Sequence, residues 1–178
     1  TSRYGSLTFN QYGREMPSGG INEAGLVVEV LWLAEAEVPE PDERDSVNEL
    51  QWIQWALDNH ATVAELVEAA PDIRVSPLVA AVHYFACDAG GECAALEYLF
   101  GRLEIATGED MPIHALTNDT YDVSLSYAER FDGFGGILAP AGGDGQLDRF
   151  VTAATLARDL RVPPQSPADA AFAVPDRA

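Results

Sequence analysis

Residues 19–33, read as Gly19-Gly-Ile-Asn-Glu-Ala-Gly-Leu-Val-Val-Glu-Val-Leu-Trp-Leu33, decide the fold of this chain. The stretch opens with a polar turn built on Asn22 and Gly25, residue types that tolerate positive φ, and continues as an apolar run interrupted only by Glu29. Alternation along a strand places apolar side chains of residues 26–33 on both faces. We therefore expect a strand that is covered on each side, in the middle of a layered domain.

The composition is that of one soluble globular domain spanning residues 1–178, with 47% apolar and 22% charged residues. A net charge of −19 with only 10 Lys and Arg residues argues against a nucleic-acid partner, because no basic stripe exists to neutralise phosphates. The same acidic excess disfavours anionic membrane surfaces, and no apolar run approaches the length of a membrane-spanning helix.

Strand and helix patterns alternate in blocks along the chain, which favours an α+β layered fold over a parallel α/β fold. A strand from Ser6 is expected to form a hairpin with the central strand across a turn at residues 13–20. Ser46 is the predicted N-cap of one helix, and Glu49 completes its capping box. Thr62 is the predicted N-cap of a second helix, which ends at Pro71. The remaining predictions are an acidic loop at residues 34–45, an antiparallel meander at 78–88, 93–100 and 102–107, and helices at 124–130, 146–160 and 167–173.

The cysteines and histidines give weak signals. Cys87 and Cys93 flank a turn-forming stretch, so they fit either a disulfide across a hairpin or two buried thiols. His60, His83 and His114 are too scattered to predict a zinc site, and no phosphate-binding or dinucleotide motif is present. We therefore predict no metal and no cofactor.

Two residues are candidates for chemistry. Asn118 follows a short apolar run, and an Asn at a strand end can present its amide N–H groups to a cleft, as an oxyanion hole requires; the structural alternative is a plain turn residue. Arg149 lies beside Phe150 on an amphipathic helix, where a guanidinium can clamp a carboxylate or hold a catalytic group. The alternative for Arg149 is a structural ion pair.

Five strings occur together in one order: Gly5-Ser-Leu-Thr-Phe-Asn-Gln-Tyr-Gly-Arg-Glu-Met-Pro17, Gly20-Ile-Asn-Glu-Ala-Gly-Leu26, Asn48-Glu-Leu-Gln-Trp-Ile53, Leu116-Thr-Asn118 with Tyr121-Asp122, and Asp148-Arg-Phe150. In this combination the chain resembles the choloylglycine hydrolase family, which includes penicillin V acylases and conjugated bile acid hydrolases. The resemblance runs from about Gly5 to about Leu160.

The resemblance implies an N-terminal-nucleophile hydrolase with an αββα sandwich that cleaves linear amides of small molecules. An N-terminal Cys attacks the amide carbonyl while its own α-amino group serves as base. Asn118 matches the family's oxyanion-hole Asn, and Arg149 matches the Arg that organises and tunes the nucleophile. Trp32 falls where the family has a further oxyanion-hole position, commonly Asn or Tyr; there it lines an acyl pocket, or else it is a core residue of the central strand.

The family's nucleophile lies several dozen residues before the Gly5 string, so we expect this chain to be an internal piece of a longer enzyme, inactive on its own. Thr1, Cys87 and Cys93 do not fit the nucleophile's position. The resemblance implies penicillin V acylase-like or N-acyl homoserine lactone acylase-like activity, a periplasmic or secreted location, and homo-oligomers. The alternatives are a non-catalytic acyl-binding domain that kept the fold, and an unrelated α+β domain.

Overall fold

The computed structural model describes residues 2–11, 13, 16–76, 80–139 and 142–159. Its internal contacts divide the chain into two compact units, residues 1–112 and 113–178. The single-domain assignment stays a prediction. The tail helix predicted at residues 167–173 lies outside the described residues.

The first unit is built on an antiparallel sheet, which confirms the α+β class. Its strands lie in the order β1-β2-β3-β6-β7-β8, while β4 and β5 form a separate parallel pair. The bounds are β1 (Ser6–Asn10), β2 (Pro17–Asn22), β3 (Val27–Trp32), β4 (Ser46–Val47), β5 (Arg74–Val75), β6 (Val82–Cys87), β7 (Cys93–Leu99) and β8 (Arg102–Thr107). The predicted meander is thus β6, β7 and β8, although its first strand begins at Val82.

The stretch quoted first contains two strands rather than one. β2 pairs with both β1 and β3, so the predicted turn at residues 13–20 is wrong from Pro17 onward. The glycines serve close packing rather than a turn, since a Cβ at Gly20 would collide with the Leu7 carbonyl oxygen and the Thr8 side chain. The true turn follows β2, where Gly25 has a φ of 92°.

Two helices, α1 (Glu49–Asn59) and α2 (Val63–Ala69), supply the second layer of this unit. The N-cap of α1 is Asn48, which caps Leu50 and Gln51; Ser46, the predicted cap, instead pairs with β5. Thr62 caps α2 as predicted. Trp52 of α1 stacks on Tyr84 of β6 with ring centroids 4.1 Å apart, at the centre of a buried apolar core.

Neither face of β3 is covered along its whole length, contrary to the expectation from its apolar run. Val28 is fully buried, but Trp32 on the same face keeps 58% of its surface accessible, and Glu29 on the opposite face is exposed. The core that covers β3 comes from α1. Periodicity alone does not report how far along a strand the covering layer extends.

The two cysteines form a disulfide. Cys87 and Cys93 are direct cross-strand partners at the ends of β6 and β7, so the bond closes the turn between them. The disulfide alternative left open by the sequence is therefore the one adopted.

The second unit contains two described helices, α3 (Tyr121–Ala128) and α4 (Gln146–Asp159). Helix α3 begins earlier than residue 124 because Thr120 caps it, accepting a hydrogen bond from the Val123 N–H. Helix α4 agrees with the predicted 146–160, apart from residue 160, which is not among the described residues. A glycine-rich loop joins the two helices.

Candidate active site

Asn118 lies in an irregular segment just before α3 and not at a strand end. No strand among the described residues pairs with it, and the segment is fixed by side chains instead. The Tyr121 hydroxyl donates to the Ile113 carbonyl oxygen at 3.0 Å and accepts from the Ile113 N–H at 3.2 Å. Ala115 and Leu116 are buried. These anchors hold the half-buried Asn118 in place.

Arg149 lies in the first turn of α4, and its guanidinium contacts Asn118. The Nη2 group donates to Asn118 Oδ1 at 3.0 Å, and Nη1 donates to the Asp144 carbonyl oxygen at 3.0 Å. The structure therefore brings together two of the three predicted site residues. The alternative for Arg149 was a structural ion pair. These two contacts are not ion pairs, because both acceptors are neutral oxygens.

The Arg149 contact decides which end of the Asn118 amide serves as donor. Because Oδ1 accepts from the guanidinium, the Nδ2 group is the donor end of this amide and is directed away from Arg149. A donor whose orientation is fixed before the reaction is the arrangement that stabilises a developing oxyanion.

Helix electrostatics disfavour the place that Arg149 occupies. The N-terminal turn of a helix carries partial positive charge, where cations are less stable than at the C-terminal end. Hydrogen bonds to the Asp144 carbonyl oxygen and to Asn118 hold the cation at this end of the helix.

The packing behind this pair is apolar. Phe150, the neighbour of Arg149 on α4, is fully buried and meets the ring of Tyr121 edge to face, with centroids 6.2 Å apart. Burial raises the pKa of the Tyr121 phenol, so it stays protonated at neutral pH. The contact joins α3 to α4 and fixes the distance between Asn118 and Arg149.

Two further contacts join the same elements, and sequence reasoning missed them. The Thr117 hydroxyl donates to the Gln146 carbonyl oxygen at 3.1 Å, and the Tyr127 hydroxyl donates to Asp148 Oδ1 at 2.8 Å. Thr117 and Asp148 are sequence neighbours of Asn118 and Arg149 inside the quoted strings, which was the available signal. Nothing in the sequence pointed to Tyr127.

Trp32 belongs to the first unit, as the last residue of β3. It pairs with Val82 of β6, and more than half of its surface is accessible. It is not a core residue, which was the alternative for this position. An exposed indole at a strand end presents a flat apolar surface.

Among the described residues, no three His, Cys, Asp or Glu side chains converge so that they could bind a metal ion. None of the helices in that part of the chain has the length and apolarity to cross a membrane.

The antiparallel sheet and its helices form an α+β fold of the type found in N-terminal-nucleophile hydrolases. The model of the linear amide C–N hydrolases of the choloylglycine hydrolase family matches residues 6–156. The chain therefore belongs to that family, as the resemblance predicted.

Individual relatives agree with this assignment. A penicillin V acylase from Pectobacterium atrosepticum is 29% identical over 177 aligned positions, covering 90% of this chain and 46% of that protein. The structure of a penicillin V acylase from Agrobacterium tumefaciens superposes with a TM-score of 0.84 at 31% identity, over 99% of this chain and 56% of that one. A variant of conjugated bile acid hydrolase from Clostridium perfringens shares the fold, with a TM-score of 0.80 at 18% identity. The superposition covers 99% of this chain and 64% of that one. The chain thus spans about half the length of the penicillin V acylases that it matches.

Proposed function

We propose that the full-length protein hydrolyses linear amides that carry an apolar or aromatic acyl group, as a penicillin V acylase-like or N-acyl homoserine lactone acylase-like enzyme. The observation that carries this proposal is the 3.0 Å bond between Arg149 Nη2 and Asn118 Oδ1, which orients an amide donor in a chain of this family.

In the proposed reaction, the thiol of an N-terminal Cys outside this chain adds to the amide carbonyl, and its α-amino group takes the thiol proton. The Asn118 Nδ2 group donates to the oxyanion that forms. The amine leaves with a proton, and water then hydrolyses the thioester. Arg149 keeps Asn118 in register, and Trp32 contributes apolar surface for the acyl group.

Intact-mass spectrometry of the full-length protein tests the covalent step. After acid quenching of a reaction with penicillin V, we expect a population heavier by one phenoxyacetyl group, located on the N-terminal Cys. Replacing that Cys by Ala should abolish both the adduct and turnover. Turnover that survives this replacement would contradict the mechanism.

The competing function is a non-catalytic domain that binds acyl ligands, and the exposure of Trp32 would suit it equally. Calorimetric titration of penicillin V and an N-acyl homoserine lactone separates the two. Saturable binding without amine release would favour the binding domain. Amine release from one substrate and not the other would identify the acylase type.

A further inference from the structure

The Asn118–Arg149 bond needs an external constraint to persist. Arg149 is exposed, and an arginine side chain loses considerable rotamer freedom when it is held in one position. Its two acceptors are neutral oxygens, which bind a guanidinium less strongly than a carboxylate does. The orientation of the first turn of α4 must therefore be set by something else.

Asp148, one position earlier on α4, is held on two sides. Its Oδ1 atom accepts a 2.8 Å hydrogen bond from the Tyr127 hydroxyl of α3. Its Oδ2 atom lies so close to the loop before α4 that a Cβ at Gly143 would collide with it, and one at Gly145 would be 3.1 Å away. A carboxylate in the first turn also suits the helix dipole. Asp148 therefore fixes the rotation of this turn about the helix axis.

The Tyr127 hydrogen bond keeps the Oδ1 atom of the Asp148 carboxylate occupied. A freely rotating carboxylate beside Arg149 would compete with Asn118 as the partner of the guanidinium, since a charged acceptor binds it better than an amide oxygen. The bond to that carboxylate raises the pKa of the Tyr127 phenol, so the phenol remains a donor through the neutral range.

We propose that Tyr127 and Asp148 are positioning residues for amide hydrolysis: they hold the first turn of α4 so that Arg149 faces Asn118 and not the neighbouring carboxylate. This inference rests on the proposed function. It predicts that the Tyr127 hydroxyl matters to turnover although it touches neither the substrate nor Asn118.

Steady-state kinetics of the full-length protein with penicillin V test the proposal through a double-mutant cycle. Tyr127→Phe removes the hydroxyl and keeps the ring contact with Phe131. We expect kcat to fall about tenfold with KM within about twofold, because a displacement well under 1 Å is sufficient to cost that much. In an Arg149→Lys background, Tyr127→Phe should have no further effect.

Two variants complete the design. Asp148→Asn keeps an acceptor for the Tyr127 hydroxyl and should retain more activity than Asp148→Ala. The matched control is Thr152→Val, which removes a 3.0 Å hydrogen bond to the Asp148 backbone carbonyl and leaves its carboxylate untouched. We expect wild-type kinetics from the control, and thermal midpoints close to wild type for all variants.

The outcomes separate the two proposals. An unchanged kcat in Tyr127→Phe, or a loss of equal size in both backgrounds, overturns the positioning role while the proposed function stands. An Arg149→Lys variant with wild-type turnover overturns the proposed role of Arg149 itself. The inference is supported if Tyr127→Phe lowers kcat in the wild-type background but not in the Arg149→Lys background, and if Thr152→Val leaves kcat unchanged.

Discussion

Asn22 connects the turn after β2 to the end of α1, and its removal should destabilise the protein strongly. The side chain is 4% exposed. Its Nδ2 group donates to the carbonyl oxygens of Leu57 and His60 at 2.9 and 2.7 Å. Its Oδ1 atom accepts from the N–H groups of Ala24 and Leu26 at 3.1 and 3.0 Å.

The magnitude follows from these four contacts. A typical intramolecular hydrogen bond contributes about 1 kcal/mol net, and a buried group left unpaired costs more. Asn22→Ala should therefore lower the free energy of unfolding by roughly 4 kcal/mol, a large share of the roughly 5–15 kcal/mol that stabilises a typical domain. Urea unfolding followed by tryptophan fluorescence measures the change, because Trp52 is fully buried in the core and becomes exposed to water on unfolding.

Asn59→Ala is the matched control, since the Asn59 side chain makes a single 2.8 Å bond, to the Trp55 carbonyl oxygen. We expect it to cost about 1 kcal/mol or less. If the Asn22→Ala variant is as stable as the Asn59→Ala variant, the stabilising role assigned to the Asn22 side chain is wrong.

Three further changes have defined outcomes. Reducing the Cys87–Cys93 disulfide should lower the thermal midpoint, because a short closed loop contributes roughly 2 kcal/mol. Tyr98→Phe should raise the free energy of unfolding by about 1 kcal/mol, since the buried hydroxyl has no hydrogen-bond partner in the described residues. Burial raises the pKa of Tyr98 to about 12, so stability should fall as pH rises from about 10 through 12, where the unfolded chain loses the proton first. Glu97→Ala should cost roughly 2 kcal/mol, because it removes the carboxylate that lies 2.7 Å from the buried His83 Nδ1.

Each of these has its own check. Cys87→Ser with Cys93→Ser should melt at the same temperature with and without reductant. The alkaline loss of stability should be smaller in Tyr98→Phe, and an identical pH dependence would contradict the assignment. Glu104→Ala, at the exposed cross-strand neighbour of Glu97, should change stability by less than about 0.5 kcal/mol; equal costs at both positions would show that the pair with His83 is not responsible.

The sequence correctly predicted those helices and strands whose residues favour the same secondary structure that their packing in the fold requires. The meander was bounded by turn residues, and Thr62 marked the start of α2. Strand β2 was missed because its two glycines are typical of turns. At Gly20 the backbone of β1 approaches too closely for a side chain, and at Gly19 a Cβ would collide with the Glu29 side chain of β3. Only the paired sheet contains that information.

The site was predictable in part. Family resemblance pointed to Asn118 and Arg149, and the structure joins them. The apolar run before Asn118 was interpreted as the end of a strand, but no described strand contains it, and the Tyr121 hydroxyl bonds the Ile113 N–H and carbonyl oxygen instead. The contact of Tyr127 with Asp148 spans 21 positions and follows from the packing of α3 on α4, which no local pattern reports.

The most direct test of the account is the turnover of Asn118→Ala in the full-length protein. Loss of one oxyanion donor should reduce kcat by about 10²–10³, or roughly 2.7–4 kcal/mol of transition-state stabilisation. Asn118→Asp keeps the acceptor for Arg149 and removes the donor, so it should be at least as impaired. Folded variants that turn over penicillin V or an N-acyl homoserine lactone at the parent rate would contradict the central claim that Asn118 stabilises the oxyanion.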